Sequence, residues 1–268
     1  MMRSIPYIPV PYYTEGPAID GSGNIYCTTL SGSSILKFDQ NGNYSVWGKS
    51  ACPNGQIILP DGQHLVCDSK DSGILRFSEA GILLRDELEK KFTSEIIYVP
   101  NDLIVDEWGG IYFTDSIRYE GKIGYLDPDG TANIVARNLD YPNGLVISED
   151  KKQLFVAESY RNRIMVLPLR SPGIAGGKLE CFAELPFHGS GNALQNLPDG
   201  IRFDPEGNLY VAHYGMQKIR VLNKNGKLIR SIETPFPLVS NVFINYNTLI
   251  ATGGFGEPGP GGLFITTI

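Results

Sequence analysis

The sequence predicts an all-β fold, a six-bladed β-propeller with four strands in each blade, and three observations carry that reading. A short polar dipeptide opens an apolar run six times: Glu15-Gly16, Asn54-Gly55, Asn101-Asp102, Asn143-Gly144, Asp199-Gly200 and, degenerate, Asn241-Val242. Most steps between these openers lie near the ~40–50 residues that one four-stranded blade occupies. A second column keeps pace with the first: second runs end at Thr29, Asp68, Asp115, Glu158, His213 and Gly253, about 14 residues after each opener. A spacing held through six units gives the first two strands of every unit nearly one geometry.

The stretch from Tyr141 to Leu167 displays one unit plainly. Pro142-Asn143-Gly144 leads into Leu145-Val146-Ile147, a polar turn runs from Ser148 to Lys152, and Leu154 to Ala157 forms a second run ending at Glu158. Arg161-Asn162-Arg163 then precedes Ile164 to Leu167. Short β-rich runs bounded by turn residues read as strands of an up-and-down meander. Asn143-Gly144 opens a strand here instead of joining two, the usual place of this dipeptide in a hairpin. Turn residues separate first and second strands elsewhere, at Asp20-Gly21, Asp61-Gly62, Glu107 to Gly110 and Pro205-Glu206-Gly207. Third strands follow at Ile35–Phe38, Ile74–Phe77, Ile123–Leu126, Ile164–Leu167, Ile219–Leu222 and Leu263–Ile265, and turns such as Asn225-Gly226 lead to fourth strands. The one long step holds two Gly-rich, loop-like insertions, Ser171 to Gly177 and His188 to Asn196. The sixth unit lacks a fourth strand. Ile5 to Tyr12, ahead of the first opener, is the candidate to supply it and to close the ring, which removes two exposed sheet edges. Its prolines Pro6, Pro9 and Pro11 suit an outer edge strand.

The 268 residues are read as a single domain spanning 1–268, a length that one large all-β domain can supply. Hydrophobic residues make up 42% and charged residues 19%, as in an ordinary soluble globular protein. The 31 Gly and 18 Pro fall between apolar runs and so punctuate turns. A net charge of -6 argues against a nucleic-acid partner, which needs a basic stripe. No apolar run reaches the roughly 20 residues of a membrane span, and Met1 to Pro11 lacks the features of a secretory signal; the expectation is a cytoplasmic protein. Cys27, Cys52, Cys67 and Cys181 have no C-x-x-C spacing and read as small buried hydrophobes. Nothing specifies an oligomeric state.

In a propeller the first strands line the central channel, so all openers lie at one end of it, and the loops after the second strands rim the same mouth. Glu15, Asn54, Asn101, Asn143, Asp199 and Asn241 then form a rough ring of oxygen acceptors. Without a cation, Glu15 and Asp199 repel and one takes up a proton. A divalent ion cancels both charges, and Asn carbonyls complete a shell of hard oxygen ligands, with calcium favoured and magnesium, manganese or zinc admitted. Asp68, Asp115, Glu158 and His213 have two readings: contacts to substrate, or hydrogen bonds to the backbone of a neighbouring blade's loop. There is no G-x-S-x-G elbow. Of the three histidines only His213 lies at the mouth, a candidate for proton transfer or substrate contact. The tract Gly253 to Gly262 reads as a flexible rim loop and not as a phosphate site, because no helix follows it.

With these residues in hand, the chain resembles the senescence-marker-protein (regucalcin), gluconolactonase and luciferin-regenerating-enzyme family of metal-dependent propellers. Thr14-Glu15-Gly16-Pro17, Val99-Pro100-Asn101-Asp102-Leu103, Tyr141-Pro142-Asn143-Gly144-Leu145 and Leu197-Pro198-Asp199-Gly200-Ile201 carry the likeness, which spans Pro11 to Gly254. The resemblance implies one divalent cation held by Glu15, Asn143 and Asp199, with Asn101 a further ligand or a substrate contact, and Asp199 as general base. It implies a small-molecule substrate, a lactone, hydrolysed by water. Sugar lactonases of the family carry an arginine where this chain has Val99, so the expected substrate is a lactone other than an aldonolactone. Arg118 or Tyr119 is expected to take over that contact, and Asn54, Asn101 and His213 complete the candidate substrate-binding set. Two alternatives remain: a phosphotriesterase-like hydrolase on the same metal site, or a non-catalytic scaffold of the NHL-repeat kind, which Leu197 to Leu228 resembles locally.

Overall fold

A computed structural model of the chain describes residues 7–89, 91–92 and 95–268. It contains six antiparallel sheets. The innermost strands are Thr14–Ile19, Pro53–Ile58, Pro100–Val105, Pro142–Ile147, Leu197–Phe203 and Leu238–Asn245. Each begins within a few residues of its opener and packs against the innermost strands of the two adjacent sheets, so the six close into a ring. This is a six-bladed β-propeller, as the sequence period requires.

The closure is also as expected. Tyr7–Val10 pairs antiparallel with Gly261–Thr267, placing Ile8 opposite Leu263 and Val10 opposite Gly261, and so becomes the outer strand of the sixth blade. The Ile5 and Pro6 part of that expectation lies outside the described residues. Ring closure is sealed on the inside as well, where Ser240 Oγ donates to the carbonyl of Thr14 at 2.7 Å.

Hydrophobic cores lie between blades. One joins Tyr112 and Ile123 of the third blade to Leu145, Leu154 and Val156 of the fourth, and another joins Val146 and Phe155 to Ile201 and Val211 of the fifth. Strands covered on both faces read as nearly unbroken apolar runs, which is the pattern of Ile111–Asp115 and Gln153–Glu158. Outer strands differ: Tyr44–Lys49 and Leu228–Glu233 expose most of their residues.

Two details depart from the sequence reading. Within the Ser171 to Gly177 insertion, Ile174–Ala175 forms a short strand against the end of Arg163–Ser171. Cys27 and Cys67 are buried, but Cys52 is half-buried and Cys181 is exposed on the outer strand Glu180–Glu184, whose pairing slips between Cys181 and Ala183.

Candidate active site

Every innermost strand is bulged at its opener. Pairing with the second strand slips between Glu15 and Ala18, Pro53 and Gln56, Pro100 and Leu103, Pro142 and Leu145, Pro198 and Ile201, and Val239 and Val242. A bulge inserts an unpaired residue and re-aims its side chain. This is how six strands that run along the channel wall present six polar side chains at its end. The glycine after the opener permits the next blade to come close. A Cβ on Gly144 would lie 2.6 Å from the carbonyl oxygen of Asp199, and one on Gly16, at φ +45°, would lie 2.6 Å from that of Asn54.

A ring of hydroxyls fixes the spacing. Thr28 Oγ1 donates to the Asn54 carbonyl, Ser69 Oγ to Pro100 and Ser159 Oγ to Pro198, each at 2.7 Å, and Ser116 Oγ donates to Pro142. Each bond ties the end of one second strand to the next blade's opener. The sequence carries this signal as Asp68-Ser69, Asp115-Ser116 and Glu158-Ser159, an acid followed by serine in three consecutive blades. The acids of those pairs hold backbone of their own blade. Asp68 accepts from Cys52 N, Asp115 from Tyr98 N and Val99 N, and Glu158 from Asp140 N at 2.8 Å. The backbone reading of this column is the right one for these three, with the blade corrected from neighbour to self.

Glu15, Asn54, Asn101, Asn143 and Asp199 line one cavity of about 300 Å³ at the mouth of the channel. Asn241 stands behind them and donates its Nδ2 to Glu15 Oε2 at 3.1 Å. All six openers are 7% exposed or less. Three oxygens in this cavity, Asn54 Oδ1, Asn143 Oδ1 and Asp199 Oδ1, are buried with no hydrogen-bond partner. Asn54 keeps its oxygen free because its Nδ2 bonds Ser69 Oγ at 3.1 Å. Burial, then the charge of Asp102, pushes the Glu15 carboxyl up to about 8 against the hydrogen bonds from Gly16 and Asn241. Burial, then the charges of Glu15 and Asp102, holds Asp199 well above the usual carboxylate range. Two buried acids and unpaired amide oxygens around one volume form a set that a hard divalent cation fits. Among the described residues no group of three His, Cys, Asp or Glu side chains is placed to hold a metal, so amides must complete any such shell.

The other candidates lie elsewhere. His213 is fully buried, with its Nε2 2.9 Å from Asn162 Oδ1 and its Nδ1 accepting from Arg220 Nε at 3.3 Å. Burial, then the Arg220 charge, pushes it down to about 3. Both ring nitrogens are engaged inside the protein and the ring does not line the cavity, so the structure does not bring His213 together with the openers. Arg118 and Tyr119 do not line the cavity. Arg118 Nε is 2.6 Å from Asp140 Oδ1 and its guanidinium stacks 3.6 Å from the Tyr160 ring centre, while Tyr119 is 63% exposed.

Sequence reasoning missed much of the wall. Tyr13, Tyr141, Tyr160 and Tyr214, with Leu30, Leu194 and Leu197, line the cavity, and Glu257 reaches over it from the tract between Gly253 and Gly262. That tract is not loose. The Pro258 carbonyl accepts from Tyr13 N at 2.8 Å and from Ser31 Oγ at 3.1 Å, and Phe255 N donates to the Pro260 carbonyl at 2.9 Å.

The family model described as SMP-30/Gluconolactonase/LRE-like region matches residues 13–254. The chain belongs to this family. Lactonase drp35 of Staphylococcus haemolyticus is 31% identical over 235 residues, covering 82% of this chain and 69% of that protein. A solved gluconolactonase from Xanthomonas campestris superposes with a TM-score of 0.79 at 25% identity, over 96% of this chain and 87% of that one. A regucalcin from Agrobacterium tumefaciens, described as a calcium-binding protein, superposes with a TM-score of 0.77 at 20% identity, over 95% of this chain and 90% of that one. At that identity the likeness speaks for the fold. No helix among the described residues is long and apolar enough to cross a membrane.

Proposed function

We propose that this family member is a divalent-cation-dependent lactone hydrolase. The observation that carries the proposal is the convergence of Asn54 Oδ1, Asn143 Oδ1 and Asp199 Oδ1, all buried and unpartnered, with the Glu15 carboxyl on one small cavity. A buried acceptor without a donor costs roughly 1–3 kcal/mol, so three in one place mark a site for something electropositive. The lactonase named among the relatives supports a cyclic ester as the substrate.

Glu15, Asn143 and Asp199 would hold the cation, with Asn101 and Asn54 beside them. When bound, a divalent cation supplies Lewis acidity toward a carbonyl oxygen. The chain's own groups do the rest. The hydroxyls of Tyr13 and Tyr141 are kept protonated by burial first and then by nearby carboxylates, so they remain donors that can orient a ring or carbonyl oxygen, while the Tyr214 hydroxyl is committed to Glu257. Leu30, Leu194 and Leu197 give the cavity wall an apolar side. Asp199 is favoured in its ionised form when the cation is bound, and its carboxylate then accepts the proton of the attacking water. The water oxygen bonds to the acyl carbon, the ring C–O bond breaks, and the proton returns to the departing oxygen, leaving a hydroxy acid.

General-base assistance is worth roughly 10²–10⁴-fold. Asp199→Asn is expected to lose at least that factor in kcat on a lactone panel assayed with calcium, magnesium, manganese and zinc in turn. Near-normal turnover with the cation still bound removes Asp199 from the proton-transfer role. Absence of any melting-temperature shift with all four cations removes the cation from the site, because a ligand that binds the folded state must stabilise it.

A further inference from the structure

We propose that Glu257 and the tyrosine wall select for a lactone that carries a positively charged substituent, an inference that rests on the lactone-hydrolase reading and names the substrate class within it. Three carboxylates face the cavity, from Glu15, Asp199 and Glu257. A divalent cation balances two of them, and the third is left uncompensated. Among the described residues lining the cavity, none is lysine, arginine or histidine. Arg118 and Arg161 are engaged by Asp140, Arg202 donates to the carbonyls of Leu145 and Ile201 and its charge acts on Asp102, and Lys70 is exposed.

Glu257 is exposed at the rim, and its side chain and backbone are held over the cavity. Tyr214 donates its hydroxyl to Glu257 Oε1 at 3.0 Å, and among the described residues Oε2 makes no hydrogen bond. The backbone around it is pinned by Tyr13 N and Ser31 Oγ on the Pro258 carbonyl. Its charge reaches into the site, adding to the upward shifts of Tyr13, Glu15, Tyr141 and Asp199.

The aromatic residues supply the second, independent half of the argument. Tyr13 packs edge-on to Tyr214 with ring centres 6.3 Å apart, and Tyr141 packs likewise against Tyr160 at 5.5 Å. One face of Tyr160 is taken by Arg118 and Tyr13 is only 4% exposed, which leaves the half-buried Tyr141 and Tyr214 as the ring surfaces on the cavity wall that a ligand can reach. Ring faces attract cations, and a cluster of aromatic faces beside a carboxylate is the chemistry that recognises an ammonium group. An anionic substituent meets an unbalanced carboxylate and no counter-charge.

The test uses one γ-butyrolactone ring substituted at the same carbon with trimethylammonium, tert-butyl or carboxylate. The first two have nearly the same shape and differ in charge, so the ratio of their kcat/KM values reads charge selection. Wild-type protein with calcium is expected to order them ammonium, tert-butyl, carboxylate. In Glu257→Gln, which keeps an acceptor for Tyr214, the ammonium-to-tert-butyl ratio is expected to fall roughly tenfold, the size of one charge contact in a partly wet site. The wild-type ratio should also shrink as salt is raised. Glu257→Lys should invert the ratio relative to wild type. Hydrolysis of the tert-butyl lactone with a ratio that Glu257→Gln leaves unchanged overturns the inference and leaves lactone hydrolysis standing. No turnover of any of the three with any cation overturns lactone hydrolysis itself, and charge selection falls with it.

Discussion

The Glu15 carboxyl makes the cation-free protein sensitive to pH in an unusual direction. Glu15 is 4% exposed, and burial raises its carboxyl from 4.5 to about 8. Below the unfolded value both states are protonated and nothing is lost. Between the two values the unfolded chain ionises while the folded one keeps its proton, so stability falls as pH rises and levels off above the folded value. At 1.36 kcal/mol for each pH unit the whole span amounts to ~5 kcal/mol, a large part of the stability of an ordinary domain. For a chain of this size that is a fall in Tm of ~10 °C between pH 5 and 8. The assay is thermal unfolding in chelator across that range, repeated with millimolar calcium. Calcium favours the ionised carboxylates, so it should flatten or reverse the slope. Glu15→Gln should reduce the slope, leaving the part that the buried Asp199 carboxyl contributes, raise the chelated Tm at pH 8, and abolish the calcium response together with lactone turnover. A chelated wild-type protein whose Tm is flat from pH 5 to 8, or a Gln variant with the full wild-type slope, refutes the reasoning.

Two further outcomes test how the mouth is built. Gly144→Ala places a Cβ 2.6 Å from backbone atoms of Asp199, Gly200 and Ile201, and backbone cannot step aside cheaply; a loss of roughly 1–3 kcal/mol is expected in a denaturant melt, with calcium affinity reduced as well. His213→Ala leaves Asn162 Oδ1 and the Arg220 guanidinium without their buried partner, at roughly 1–3 kcal/mol, and the pH–rate profile of the wild type should show no inflection near the ordinary histidine value, because the ring is pushed down to about 3.

The blade repeat was legible because it is written twice, in the openers and again in the ends of the second strands. The positions of Glu15, Asn143 and Asp199 follow from it: a bulge at the same register of each innermost strand aims equivalent residues at one point. The loops after the second strands do rim the mouth as expected, with Tyr160, Tyr214 and Glu257 on the cavity wall; what failed was the role given to individual loop residues. Arg118 follows the second strand of its blade as expected, yet Asp140, which precedes the next blade's opener, captures it, and sequence spacing does not show such a pair. His213 occupies the column of Asp68 and Asp115, but it faces Arg220 across the third strand and Asn162 of the preceding blade, so the same register serves a different hydrogen-bond network. Glu257 was hidden by composition. A Gly/Pro-rich tract reads as mobile, and only contacts as remote in sequence as Pro258 to Tyr13 and Ser31 reveal it as a fixed wall.

The same features that prepare the mouth for a cation also weaken the fold around it. Two buried carboxyls and three unpartnered oxygens each disfavour the cation-free folded state. Blade-to-blade packing alone resists this strain poorly at the channel end, where side chains are polar and the apolar clusters lie farther out between the sheets. The hydroxyl bonds from Thr28, Ser69, Ser116, Ser159 and Ser240 meet that need. Each satisfies the carbonyl of an opener or of the residue just before one and locks its distance from the preceding blade, at roughly 0.5–1.5 kcal/mol apiece. Ser240 closes the ring between the last blade and the first, and its bond fixes Thr14, the residue beside Glu15. Ser240→Ala should therefore lower Tm by only a few degrees in saturating calcium, where the cation itself ties the blades together, and by more in chelator. Equal losses in both conditions would show that the hydroxyl ring supports the propeller without supporting the site.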